Sequence, residues 1–184
     1  MRSLRHLMRR FARDETGTLL AEAVIILPMM LWAYLALFVY WDAYRSVNVS
    51  QKAAYTISDM LSREKIVLPA SYPTGLRNVM RYLINSDQTV KIRITSIKWS
   101  ITNERFEVDW SRSPDNAMPQ LTTTTLQLLK SRIPKMADGD YAVILETEVS
   151  YAPAFNVGLD SELLTQFIVT RSRTLPRNCI EVCT

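Results

Sequence analysis

From Ala23 to Trp41 the sequence contains no charged residue. A run of about 19 residues is long enough to cross a hydrocarbon core as a helix. In lipid a lone segment must satisfy its own backbone hydrogen bonds, and a helix is the local way to do so. Just before the run stands Glu22. A carboxylate at the bilayer centre costs roughly 2.5–3.5 kcal/mol on insertion scales, so Glu22 needs either a partner or a place near the headgroups.

The flanks orient the run. Arg2, Arg5, Arg9, Arg10 and Arg13 lie on its N-terminal side and only Arg45 follows soon after its far end, which places the N-terminus in the cytoplasm. Tyr40, Trp41 and Tyr44 fall where an outer interfacial belt belongs. A removed secretory signal is the alternative. Its apolar region is shorter, about 7–15 residues, and ends in a small-residue cleavage site, whereas here Trp41 would occupy the first small position. The expected arrangement is a single-pass anchor in an inner membrane, with the body in the periplasm.

The net charge is +4 and the isoelectric point near 9.2. Three of the four net charges belong to residues 1–17, where the five arginines face Asp14 and Glu15. The body is close to neutral, so a nucleic-acid partner is not expected.

Beyond the membrane run, Ala43, Val47, Ser50, Ala54, Ile57 and Leu61 recur at steps of three and four, a narrow stripe on an otherwise polar helix. Pro69, Pro73 and Gly75 end the pattern. One helix from Thr18 to about Lys65 would be close to 70 Å long at 1.5 Å per residue, with Pro28 bending or loosening its membrane half. A second helix is expected over Leu76–Asn85 and strands over the regions of residues 90–101, 105–110, 141–151 and 167–175. In "TVKIRITSIKWSI" the apolar phase changes from Val90, Ile92 and Ile94 to Ile97, Trp99 and Ile101, which predicts a bulge near Thr95–Ser96. Phe106, Val108 and Trp110 alternate with Glu107 and Asp109, acids that can face Lys91, Arg93 and Lys98. Glu146 and Glu148 can likewise face Arg171 and Arg173. "LQLLKSRI" predicts a short helix. The fold class is α+β: a long N-terminal transmembrane helix continuing into a periplasmic domain with a mostly antiparallel sheet and short helices. The expected divisions are a leader at 1–17, the long helix at 18–66 with its membrane span at about 19–41, and the periplasmic domain at 67–184.

Two cysteines, Cys179 and Cys183, end the chain. In an oxidising compartment they can form a local disulfide. A helical tail would hold their Cα atoms about 6 Å apart, within bridging range, and so small a loop would contribute on the order of 2 kcal/mol. Free or intermolecularly paired thiols are the alternative. The single histidine, His6, lies in the leader, so neither a His-based catalytic site nor a His metal site is expected in the body, and no cofactor is implied. Ser62–Lys65 matches S-x-x-K without the partner motifs that give it meaning.

The segment "GTLLAEAVIILPMMLWAYLALFVYWDAYR" places Gly17 before a helix and Glu22 at the fifth position after it. This resembles the processing site of type IV prepilins, which a membrane aspartyl peptidase cuts after the glycine. With Glu22, the apolar run, Pro28 and the later "AYRSVNVSQKAAYTISDML", residues 13–61 are similar to the TadE-like family of minor pseudopilins from Tad (type IVc) pilus systems. Ala23 stands where the major pilins of such systems carry Tyr, which points to a minor subunit. The resemblance implies cleavage between Gly17 and Thr18 by a prepilin peptidase. It also implies partners among other pilus subunits and the inner-membrane assembly platform, besides the lipid bilayer. It further suggests a use for Glu22. Cleavage would create an α-amine on Thr18 with a pKa of about 7.7–8.0, one helical turn from Glu22. At 4 Å and an effective dielectric near 20 their attraction is about 4 kcal/mol. The competing readings are an acid snorkelling to the headgroups and, for the whole chain, a bitopic envelope protein whose periplasmic domain binds a ligand unrelated to pili.

Overall fold

The computed structural model describes residues 11, 16–64, 67–85, 88–173 and 177–181. His6, the five leader arginines, Asp14 and Glu15 lie outside the described residues, as do Lys65 and Cys183. Helix α1 runs from Thr16 to Ser62 and continues through Pro28. The chain forms two compact units, Met1–Asp42 with Pro153–Leu159, and Ala43–Ala152 with Asp160–Thr184. The division therefore falls inside α1, and the polar part of the helix is counted with the sheet.

In the second unit α1 buries Ser50, Ala53, Ala54, Ile57, Ser58 and Leu61, the three-and-four spacing of a helix face. The buried stripe starts later than the sequence pattern suggests, because Val47 is still 39% exposed. Helix α2, Tyr72–Ile84, begins a turn earlier than expected. Pro73 explains this, since a proline in the first turn loses only an N–H that has no helical partner. Asn85 ends it in the left-handed region with φ 49°, its N–H reaching the Arg81 and Tyr82 carbonyls, a common way to satisfy orphan carbonyls.

Four antiparallel strands follow: β1 Val90–Ser100, β2 Arg105–Arg112, β3 Tyr141–Tyr151 and β4 Glu162–Thr170, in the order β2-β1-β3-β4. Between β2 and β3 a short helix α3, Thr123–Leu126, passes into a 3-10 turn, Gln127–Arg132. Thr122 caps it, exchanging hydrogen bonds with Thr125.

Both faces of the sheet are apolar, and each has its own core. One face offers Val90, Ile92, Ile94, Val143, Leu145 and Val149 to α1 and α2. The other packs Ile97, Ala142 and Ile144 with Leu121, Leu126 and Ile133 from the α3 region. The phase change in β1 is thus a change of face rather than a slip. β1 pairs with β3 in unbroken register from Val90↔Val149 to Lys98↔Tyr141. The irregularity is on the other side: Ser96 faces Trp110 while Ile97 faces Val108. Asp109, on β2, is therefore the extra residue of the bulge, and β1 itself has none. Because of it, Trp110 joins the first core while Phe106 and Val108 join the second, although all three share one period-two pattern in the sequence.

The sheet order also reassigns the expected ion pairs. Lys98 meets Glu107 at 3.3 Å as expected, and the Glu107 carboxyl lies below the usual carboxylate range because Asn103 and then Lys98 hydrogen-bond to it. Arg93 pairs with Glu146 at 2.7 Å and Lys91 with Glu148 at 3.7 Å, across β1–β3. Arg171 instead meets Asp140 at 2.6 Å and Arg173 meets Asp59 at 3.4 Å, because β4 ends at Thr170 and both arginines lie beyond the sheet.

Replacing Ile57, fully buried between α1 and the sheet, by Ala should destabilise the second unit by about 2–5 kcal/mol. Denaturant unfolding of the detergent-solubilised chain reads this. Tyr55→Ala, on the exposed side of the same helix, should stay within about 0.5 kcal/mol.

Candidate functional site: the apolar half of the long helix and the C-terminal clasp

Within the first unit the apolar part of α1 has little cover. Leu20, Val24, Ile25, Leu27, Met29, Met30, Leu31, Tyr34 and Leu37 are all exposed, and they occupy every side of the helix. Only 6% of the most apolar window is buried. A helix apolar all round is suited to a core or to lipid, and an uncovered apolar surface this large marks an interaction site. By length and composition the helix can cross a membrane.

The expected site residues sit along this surface. Gly17 lies in the first turn of α1, exposed, and a Cβ there would touch nothing within 4 Å. Thr18 is in the helix, and its side chain is outside the described ones. Glu22 is exposed on the next turn, and positions four apart are neighbours on a helix surface. Tyr40, Trp41 and Tyr44 are exposed at the other end of the run. Ser62 of the S-x-x-K match is buried at the helix end, its hydroxyl donating to the Asp59 carbonyl at 2.8 Å.

The second unit shows an arrangement that sequence reading missed. The last carbonyls of a helix have no intrahelical donor, and in α1 two of them are satisfied by the C-terminal segment. The Arg173 N–H donates to the Ser62 carbonyl at 2.7 Å, and Asn178 Nδ2 reaches the Leu61 carbonyl at 3.4 Å. The Leu68 N–H donates to the Cys179 carbonyl and the Glu181 N–H to the Leu68 carbonyl, both at 2.9 Å, forming a parallel bridge. Trp110 Nε1 donates to the Asn178 carbonyl at 2.7 Å. Arg177 grips Asp109 with both arms of its fork, Nε at 2.9 Å and the terminal nitrogen at 2.5 Å. The Asp109 hydrogen bonds, outweighing partial desolvation, hold the Arg177 guanidinium above its already high pKa. The bulge thus aims its extra carboxylate at the tail, as bulges commonly re-aim a side chain.

Cys179 is buried and disulfide-bonded. Cys183, its expected partner, lies outside the described residues. At Cys179–Ile180 the tail is extended against Leu68, so the spacing of a helical tail does not apply there.

Beside the second core an open cleft of about 410 Å³ is lined by Trp99, Phe106, Lys130, Ile133, Lys135 and Met136. Trp99 and Phe106 meet edge to face at 4.8 Å, and Lys130 Nζ lies 5.5 Å from the Trp99 ring centroid. Among the described residues no cluster of His, Cys, Asp or Glu is placed to hold a metal ion.

If Arg177–Asp109 fastens the tail, Asp109→Ala should cost about 1–3 kcal/mol. It should also speed hydrogen exchange at the Leu68 and Glu181 amides, while the Leu145 amide, in a strand paired on both sides, stays protected. Equal acceleration at all three would mean a general loss of structure rather than a loosened tail.

Comparison with protein families, with curated proteins and with solved structures returned no match.

Proposed function

We propose that this chain is a minor, pilin-like subunit required for assembly of a Tad (type IVc) pilus. It would be anchored in the bacterial inner membrane, with its N-terminus in the cytoplasm and its sheet unit in the periplasm. The observation that carries this reading is the continuity of α1 from Thr16 to Ser62. One helix bears Gly17 and Glu22 at its start, an exposed apolar surface in its first half and the buried small-residue stripe of the sheet unit in its second. A subunit built to associate through packed membrane helices needs that exposed surface and has no need of a catalytic group or cofactor. The proposed partners are other Tad subunits, the assembly platform, a prepilin peptidase and the bilayer.

The acid has a defined part in this scheme. Removal of residues 1–17 leaves an amine on Thr18, and Glu22 pairs with it on its own chain or a neighbouring one. A costly charge then fixes the register of packed helices.

A second reading has one observation in its favour. The cleft beside Trp99 and Phe106, mostly apolar with Lys130 and Lys135 in its lining, would suit an apolar ligand with an anionic head in an envelope protein unrelated to pili. Finding neighbouring genes for a secretion ATPase and a prepilin peptidase would favour the pilus reading, and finding none would favour the ligand.

The mature protein should begin at Thr18, and Gly17 replaced by a large residue should block cleavage. N-terminal sequencing that starts at Met1 or Arg2 in membrane-extracted protein would rule out processing.

Glu22→Ala should still insert, since losing a charge makes the helix more apolar, and should still be cut, but should fail to co-purify with the other subunits. Glu22→Asp, one methylene shorter, should assemble poorly. A processed Glu22→Ala protein that supports piliation would reduce Glu22 to a tolerated interfacial acid.

A further inference from the structure

The β3–β4 connection belongs to the same compact unit as the apolar half of α1. Residues Pro153–Leu159 form that unit together with helix residues up to Asp42. Phe155 stands edge to face with Phe38 of α1, ring centroids 6.5 Å apart. Val39 is 1% exposed and Val157 9% exposed. Phe155 by contrast is 47% exposed. The connection carries no charge from Ala152 to Leu159, and Asp160 is the first ionisable group after it.

We infer that this connection is a second membrane contact, in which the loop 153–159 inserts Phe155 into the outer headgroup–acyl boundary of the bilayer beside the helix. The inference rests on the reading of α1 as a membrane span. Three observations select lipid as the occupant. Phe38 belongs to the charge-free run, and the Phe155 ring that meets it edge to face lies within 6.5 Å of its depth. At 1.5 Å per residue, Phe38 lies within one helical turn of Trp41, in the belt where aromatic rings favour the boundary. The loop also offers an exposed phenyl ring with no charge to keep it in water, next to a helix surface that is itself uncovered and apolar.

The depth follows from the backbone. A loop cannot enter the hydrocarbon core, because its N–H and C=O groups would go unpaired. At the boundary, about 5–10 Å below the headgroups, water and headgroups still pair them. Gly158, at φ +95°, turns the chain there, its N–H near Asn156 Oδ1 at 3.5 Å. The loop is therefore a shallow anchor.

The test uses the full chain in phosphatidylcholine vesicles, with a fluorophore attached to a cysteine introduced at one exposed position at a time. Ala154→Cys reports the loop, Met30→Cys the helix and Leu128→Cys the sheet unit, and the unsubstituted chain is labelled in parallel as a blank. Nitroxide lipids quench either near the headgroup or near the acyl end. The loop label should lose more emission to the shallow nitroxide than to the deep one, the helix label more to the deep one, and the Leu128 label little to either. Adding Phe155→Asp to Ala154→Cys should reduce the loop quenching towards the Leu128 level. A quenched helix label beside an unquenched loop label overturns the inference and leaves the membrane span standing. If neither is quenched, the span fails and the inference fails with it. Deep quenching of the loop, or quenching unchanged by Phe155→Asp, overturns the shallow aromatic anchor. Emission that depends on the protein-to-lipid ratio and not on the nitroxides would assign the loop to another protein chain, which also overturns it.

Discussion

A helix closes its own hydrogen-bond ladder, and so one helix can serve two solvents. Apart from the one bond that Pro28 cannot make, the backbone of α1 asks nothing of its surroundings between its first and last turns. Side chains alone decide where each part belongs: all-round apolar residues up to Trp41, then a stripe of Ser50, Ala53, Ala54, Ile57, Ser58 and Leu61 buried in the sheet unit. No loop, turn or glycine separates the two regimes. Besides Pro28, the ladder is left open at its ends, and at the C-terminal end other parts of the chain close it. Arg173 and Asn178 supply donors to the Ser62 and Leu61 carbonyls, so the final segment of the chain completes the helix.

That closure depends on one irregular residue. Without a bulge, Phe106, Val108 and Trp110 would share a face and one of the two cores would lose its β2 members. With Asp109 inserted, the strand serves both, and the spare carboxylate takes the Arg177 fork. Trp110, turned to the first core by the same step, donates to the Asn178 carbonyl. Two-sided burial also explains why Thr95 and Ser96 are fully buried in the middle of β1. They stand where its apolar phase crosses from one face to the other, and the Thr95 hydroxyl finds Ser111 at 2.9 Å.

What the sequence made legible was whatever a short window could encode. The charge-free run, the three-and-four stripe and the Val-Ile-rich strands each carry their signal within a few residues, whereas Pro73 reads as a helix breaker and proves to lie in the first turn of α2. The misread features depend on distant chain. Nearness in sequence matches Lys91 and Arg93 with the hairpin acids, because β2 is the next strand. Their partners, Glu148 and Glu146, come from β3 on the opposite side of β1. The tail contacts have no periodicity at all, and Asp109 reads as an ordinary solvent-facing acid in an alternating strand. Phe155 is a lone aromatic in a loop, and only its stacking on Phe38 gives it meaning. For Gly17, Thr18 and Glu22 the residues and their spacing carry the argument, and the helix geometry adds that the last two are a turn apart.

The proposed role of Glu22 can be weighed against the helix itself. A helix N-terminus carries a partial positive charge that favours a nearby carboxylate by about 0.3–1 kcal/mol at exposed sites, and up to about 2 kcal/mol where partly buried. That effect fades beyond the first turn, and Glu22 lies past the first turn of α1, which begins at Thr16. The macrodipole therefore falls short of the roughly 2.5–3.5 kcal/mol cost of a membrane carboxylate. A full charge one turn away reaches the necessary size, about 4 kcal/mol at an effective dielectric near 20. Cleavage after Gly17 would supply that charge and would also place Glu22 in the new second turn. In this reading processing and pairing are one event: the cut that removes the arginine-rich leader creates the cation that makes the acid tolerable among packed helices.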